Sequence, residues 1–340
     1  MDLLPDEAQQ EIIDATAAFL DDAMPIERLH GDGTAAARPD AAGLTQMAEL
    51  GWFGLSLDEE QGGVGFTLVE EALLFRESGR RVGAVQLLAT ALAARVAVLA
   101  GDTERAEALI AGRQRAGWAE AIETATLGSE VSGRFQVFAG AGADSWIAAD
   151  ETGAALLDPI TAATTEGIPC LDEFTDLHHA SFANTAPLAS VGAGDAIVDR
   201  AAVLAAAMST GVAESARDQG ATYAQERFQF GKPIGIFQAV KHPCADMAVR
   251  CEAAWSQTAY AALALRDGTE DAGFHVSCAK HLADEAAREN AAANLQIHGG
   301  YGFTVEYDAH LFVKRAHVLA AMAGSSRRHL GRVLAAPAQA

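Results

Sequence analysis

Basic residues are scarce in this chain. Lysine and arginine total 24 of 340 residues against 46 aspartates and glutamates, a formal net charge of −22. Gripping a nucleic-acid backbone needs a basic surface that displaces counterions, so no DNA or RNA partner is expected. No apolar run reaches about 18 residues, and no membrane span is expected. The N-terminus, MDLLPDEAQQEIIDATAAFL, is acidic and amphipathic, without the basic start and apolar block of a signal peptide. The four cysteines, Cys170, Cys244, Cys251 and Cys278, show no metal-ligand or redox-pair spacing. They read as reduced thiols in a cytoplasmic protein with no metal site.

Hydrophobic residues make up 50% of the chain, enough for a large core and two or three structural units. Residues 1–115 carry apolar residues at helical spacing, as in EAQQEIIDATAAFLDDAM and LVEEALLFRESGRR. The glycine cluster Glu59–Thr67 interrupts them and reads as a connection ending in a helix N-cap at Thr67. Residues 116–190 switch to short alternating runs broken by Gly, Asp and Pro, the signature of a small β domain. From 191 to 340 long alanine-rich helical patterns return. Segments of about 25–30 residues, roughly 40 Å as helices, suit an antiparallel bundle. The fold class is therefore α+β, mainly α, in the order helical domain, β domain, helical bundle.

Two stretches carry candidate chemistry. In QERFQFGKPIGIFQ, Gln225–Gln238, Arg227 follows one long helix, Gly231 and Pro233 supply a turn, and Gln238 begins the next helix. An arginine fork beside a helix N-terminus suits a pyrophosphate, and Phe230 suits a flat ring. The same residues are equally read as an arginine capping the preceding helix beside core phenylalanines. In QIHGGYGFT, Gln296–Thr304, Gly299, Gly300 and Gly302 let a ligand approach the backbone, or simply stop a helix. No strand precedes GGYG, so a Rossmann reading is poor. The basic clusters KRAH (Lys314–His317) and SSRRHLGR (Ser325–Arg332) suit either an anionic ligand or a solvated face against an acidic neighbour.

Taken together, ERFQFGKPIGIFQAVKHPCADM and NLQIHGGYGFTVEYDAHLFVKRA resemble the C-terminal half of the acyl-CoA dehydrogenase family. LGWFGLSLDEEQGGVGFTLVEEALLFRESGR resembles its N-terminal segment. The resemblance implies an α-helical domain, a central β-barrel-like domain, a four-helix bundle and bound FAD. It assigns Arg227 and Phe230 to the FAD pyrophosphate through Arg-x-x-Phe-Gly, which includes Gly231, and adds Gln238 at the head of the next helix. It assigns Gln296, Gly299 and Gly300 to the adenosine half. In the family these groups reach across a dimer interface to the neighbour's FAD. The resemblance also implies an acyl-CoA substrate and an electron transfer flavoprotein as acceptor.

The sequence departs from the family pattern where a carboxylate should remove the substrate's α proton. One family position precedes a Gly-Thr/Ser pair, and here Ala323 precedes Gly324. The other lies early in the first bundle helix and falls on Ala201, with Arg200 beside it. Asp199 is about 200° of helical rotation away, which leaves Glu306 and Asp308 as outside candidates. The family's flavin-binding segment in the β domain looks shortened, with Gly128 and Ser129 as a remnant or an ordinary hairpin. These features resemble the short, base-less subunit of heteromeric α2β2 acyl-CoA dehydrogenases that act on bulky CoA thioesters such as sterol side chains. The expectation is a homologous catalytic partner that holds the flavin ring and the glutamate. The alternatives are a homo-oligomeric enzyme with an unrecognised base and a flavin-free scaffold relative. The family's oxidase branches need a base too.

Overall fold

The computed structural model describes residues 3–30 and 39–336. Five helices precede the sheet among these residues: α1 (Glu7–Ala23), α2 (Ala41–Glu49), α3 (Leu68–Arg80), α4 (Val85–Leu99) and α5 (Thr103–Ile110). Local chemistry fixes their starts. Asp6 and Gln9 form a capping box on α1, and Asp40 and Asp102 cap α2 and α5. At α3 the Thr67 hydroxyl accepts the Val69 N–H at 3.2 Å while Glu70 accepts the Thr67 N–H at 2.9 Å, the N-cap that the sequence suggests.

Seven strands follow: β1 (Ala116–Ala121), β2 (Val131–Phe138), β3 (Ser145–Asp150), β4 (Gly153–Leu157), β5 (Thr164–Ile168), β6 (Leu177–Thr185) and β7 (Ala189–Gly192). They form one sheet in the order β5-β6-β2-β1-β3-β4-β7, antiparallel except for β1 with β3. The sheet is open, with β5 and β7 as edges, so the barrel-like expectation is corrected. Alternation puts Ala119, Val137, Phe135 and Phe182 in one core with Trp146. Phe182 meets Phe135 and Trp146 edge-on at 6.0 and 6.2 Å. Helix α4 is buried nearly all round, and its Thr90 hydroxyl accepts the Ala116 N–H at the start of β1.

After the sheet come α6 (Ile197–Glu226), the short hairpin β8 (Phe228–Gln229) and β9 (Lys232–Pro233), then α7 (Gln238–Asp267), α8 (Ala272–His298), α9 (Ala309–Ala320) and α10 (Ser326–Ala335). The segment Ala193–Glu226 is long and apolar enough to cross a membrane by composition, but its most apolar window is 89% buried within the protein, as in a core helix.

The chain divides into two compact units. One contains the described parts of Met1–Gly31, Ala72–Gly83 and Val203–Ala340; the other contains those of Asp32–Glu71 and Ala84–Ala202. In the first, a Cβ added at Gly79 would lie 2.1 Å from the Met208 carbonyl oxygen, so α3 and α6 meet backbone to backbone. Arg76 and Arg80 both bond the buried Glu214 across that contact. In the second unit, Arg200 donates to Glu71 at 2.6 Å, and the Ser56 hydroxyl donates to the same carboxylate oxygen at 2.7 Å.

Candidate functional site

Arg227 ends α6, its N–H donating to the Tyr223 carbonyl at 2.8 Å, and its own carbonyl accepts the Ile234 N–H at 2.8 Å. Those bonds open a hairpin in which Phe228 faces Pro233 and Gln229 faces Lys232. The two turn residues are Phe230, at φ 53°, and Gly231, at φ 77°. A two-residue hairpin of this kind needs left-handed backbone at both positions. Glycine adopts it freely, whereas a side chain costs about 1–2 kcal/mol. Phe230 is 92% exposed and touches Phe237 only edge-on, at 6.1 Å. The reading of Phe228 and Phe230 as core phenylalanines therefore fails.

The side chains of Arg227, Gln238 and Gln296 are exposed and have no hydrogen-bond partner among the described residues. The reading of Arg227 as a cap on its own helix fails with them. Gln238 opens α7, whose N-cap, Phe237, supplies no side-chain acceptor, so the helix presents N–H groups at that end.

The three glycines after α8 play different parts. Gly299 ends the helix at φ 61°, ψ −141°, a conformation restricted to glycine. At Gly302 a Cβ would lie 2.9 Å from that of His298, so packing demands glycine there. Gly300 has ordinary φ, and a Cβ there would meet nothing within 4 Å. Among the described residues, neither backbone nor packing requires glycine at 300.

The two motifs meet at Tyr223. Its ring stacks on His298 at 4.0 Å between centroids and lies nearly parallel to Tyr301 at 6.4 Å. Tyr301 and Tyr307 both tilt against this group. Three of the chain's four tyrosines thus gather around one histidine. Burial lowers the His298 pKa, and burial with nearby Asp308 raises that of Tyr307. Sequence reasoning passed over Tyr223, His298 and Tyr307. The available signal was the concentration of a rare residue type around the second motif.

The two alanines that stand where a base is expected are packed. Ala201 is fully buried on α6, and Ala323 is 2% exposed at φ 54°, followed by Gly324 at φ 91°. Arg200 is held by Glu71, and Asp308 lies 2.6 Å from His30, whereas Glu306 is exposed. Of the basic clusters, Arg315 of KRAH is 1% exposed and donates to the Val82 carbonyl, so that arginine is not on an anion-binding surface. Between β1 and β2, Gly128 and Ser129 lie in a connection closed by Thr126 bridging Ser132.

Two family models match the chain: acyl-CoA dehydrogenase, N-terminal domain, over residues 6–112, and acyl-CoA dehydrogenase, C-terminal domain, over residues 196–336. The acyl-CoA dehydrogenase FadE34 of Mycobacterium tuberculosis is 34% identical over 94% of this chain, which spans only 45% of that longer protein. The acyl-CoA dehydrogenase IpdE2 of Mycolicibacterium smegmatis is 33% identical over 84% of each chain. Among solved structures, the Tcur3481-Tcur3483 steroid ACAD superposes with a TM-score of 0.82 at 25% identity, covering 96% of each chain.

Proposed function

From the premise that the chain belongs to the acyl-CoA dehydrogenase family, whose members depend on FAD, we propose that it is a subunit for α,β-dehydrogenation of a CoA thioester that completes the FAD site of a partner chain. The observation that carries this reading is the outward presentation of the cofactor set. Among the described residues, the Arg227, Gln238 and Gln296 side chains are exposed without hydrogen-bond partners, Phe230 is exposed on left-handed backbone, and nothing requires glycine at 300. These residues fit FAD by their chemistry. Arg227 and the N–H groups at the start of α7 suit a pyrophosphate, and Gln296 with Gly299 and Gly300 suits the adenosine half.

The bound cofactor would accept the hydride from the substrate's β carbon. Loss of the α proton then needs a carboxylate, because a thioester α C–H is a weak acid. This chain offers buried alanines at the two expected places, so the partner supplies the base. The complex is an α2β2 heterotetramer, it acts on a bulky acyl-CoA of the sterol-side-chain class, and it passes electrons to an electron transfer flavoprotein. Two findings support a two-chain enzyme. FadE34 has more than half its length outside the match, room for a second unit of this size, and the steroid ACAD carries two chain designations.

The test is to express the chain alone and with a homologous chain bearing glutamate at either base position, then measure bound flavin and acyl-CoA oxidation. The lone chain should bind little flavin and turn over nothing. The pair should be yellow and active, and Arg227→Ala in this chain should strip the flavin. Robust turnover by the lone chain would sink the proposal.

A further inference from the structure

Two adjacent serines open the last helix, α10, and their hydroxyls do different things. Ser325 is the N-cap, and its Oγ accepts the Arg328 N–H at 3.3 Å, the local role expected of a serine before a helix. Among the described residues, the Ser326 hydroxyl bonds only Nδ1 of His281 on α8, at 2.7 Å. On the far side of that ring, Nε2 lies 3.7 Å from Oε2 of Glu285, one helical turn further along α8. The carboxylate favours a proton on Nε2, which leaves Nδ1 to accept from the Ser326 hydroxyl. Hydroxyl, imidazole and carboxylate thus stand in the order that activates a nucleophilic serine.

A serine beside a histidine is not enough for this, as a second pair shows. The Ser277 hydroxyl donates to the Gly273 carbonyl at 2.9 Å, and its neighbour His329 is buried with Nε2 on the Ala323 carbonyl. Ser326 has no such backbone acceptor, and the His281 side chain is 29% exposed. The Ser326 and Arg327 N–H groups, in the first turn of α10, meet no acceptor among the described residues. They lie at the nucleophile itself and are suited to an oxyanion that forms there. Glu285 also lines a groove of about 170 Å³ with Arg250, Ala253, Leu282 and Ala286, which offers a short acyl chain an apolar wall.

We propose that Ser326, His281 and Glu285 form a second active site, one that hydrolyses esters or thioesters of short acyl groups. As Ser326 Oγ bonds the carbonyl carbon, its proton passes to His281 Nδ1, and the oxyanion rests on the N–H groups of α10. The bond to the leaving alkoxide or thiolate then breaks, and that group takes the proton from Nδ1. Water attacks the acyl-serine by the same route, which releases the carboxylic acid and restores the hydroxyl. Glu285 is a positioning residue that acts through His281. The activity needs no flavin and does not depend on the two-chain reading.

The experiment uses the full chain alone. A small fluorophosphonate is the labelling probe, with the modified residue mapped by mass spectrometry, and p-nitrophenyl butyrate is the ester. One adduct per chain should appear on Ser326, with none on Ser325. Ser326→Ala should abolish the adduct and the ester hydrolysis. His281→Ala should slow labelling about 100-fold or more. Glu285→Gln should lower kcat about tenfold or more at unchanged KM, with the unfolding midpoint held, a pattern that a merely structural role would not give. Ala253→Phe should fill the groove and slow butyrate hydrolysis while labelling persists. No adduct on the wild type, or adducts shared between Ser325 and Ser326, overturns the proposal. So does labelling of Ser326 that persists undiminished in folded His281→Ala. A butyrate rate unchanged in Ala253→Phe overturns the groove as the acyl site.

Discussion

The Tyr307 hydroxyl lies 2.9 Å from Nε2 of His298, while Nδ1 of the same ring lies 2.8 Å from the Asn294 carbonyl. A carbonyl only accepts, so Nδ1 carries the proton and Nε2 accepts from Tyr307. The lowered His298 pKa and the raised Tyr307 pKa keep both groups neutral near pH 7. This bond ties the segment after the glycine turn back to α8, and the Tyr223 ring on His298 ties both to the helix that ends at Arg227. Tyr307→Phe should lower stability by about 1–2 kcal/mol by leaving Nε2 without a donor. It should also raise the His298 titration midpoint, because a bond to the neutral form is lost. Thermal unfolding and imidazole proton NMR read the two effects. An unmoved midpoint would show that Tyr307 does not donate.

Phe230→Gly separates folding from function at the hairpin. The side chain is almost wholly exposed and sits on left-handed backbone, so its removal relieves about 1 kcal/mol of local strain at little packing cost. The lone chain should unfold at the same temperature or slightly higher. The two-chain complex should bind flavin more weakly, seen as faster loss of flavin absorbance on dilution. A marked fall in the lone chain's unfolding temperature would mean that Phe230 packs within its own chain.

The order of helices, strands and helices was legible because hydrophobic period and glycine punctuation are local properties of the chain. The residues proposed to hold the cofactor stood out only as paired motifs, since Arg227 and Gln296 taken singly read as helix ends. What stayed hidden depended on the fold. KRAH looks like a charged surface until α9 turns Arg315 inward onto the Val82 carbonyl. Tyr307 lies nine residues beyond His298, and only the tight turn through Gly302 brings them together. Openness of the sheet depends on which strands pair at its edges, which alternation within a strand does not encode.

Lys280 and Asp284 form an ion pair with both side chains fully buried, 2.5 Å apart. Ser209 donates to the free side of the carboxylate at 3.0 Å, and Lys280 also donates to the Leu319 carbonyl. Lys280→Met removes the cation and leaves a buried acid whose pKa burial already raises. The expected loss is about 3–5 kcal/mol. Replacing both members, Lys280→Met with Asp284→Leu, should recover most of it, since neither charge then stays buried alone. Denaturant unfolding of the wild type, both single variants and the double variant measures the coupling. Equal destabilisation by the single and double variants would show that packing, not charge, sets the loss.

His329 should make stability fall on acidification. Burial pushes its pKa down to about 4 from 6.5, and Lys280, Arg332 and Arg328 push the same way against the Ala323 carbonyl. The folded ring is neutral, with Nε2–H donating to that carbonyl. Above pH 6.5 neither state binds the extra proton, and the full stability is present. Between 6.5 and about 4 the unfolded chain binds a proton that the folded chain refuses, so stability drops as pH falls. The loss for this group is roughly 3 kcal/mol, with a steepest slope of about 1.4 kcal/mol per pH unit. His298, lowered in the same direction, adds to it. His329→Gln keeps an N–H donor for the Ala323 carbonyl but does not titrate. It should therefore flatten the acid limb by about one proton's slope, read from urea unfolding at a series of pH values. An acid limb of unchanged steepness in His329→Gln would place the sensitivity in carboxylates instead.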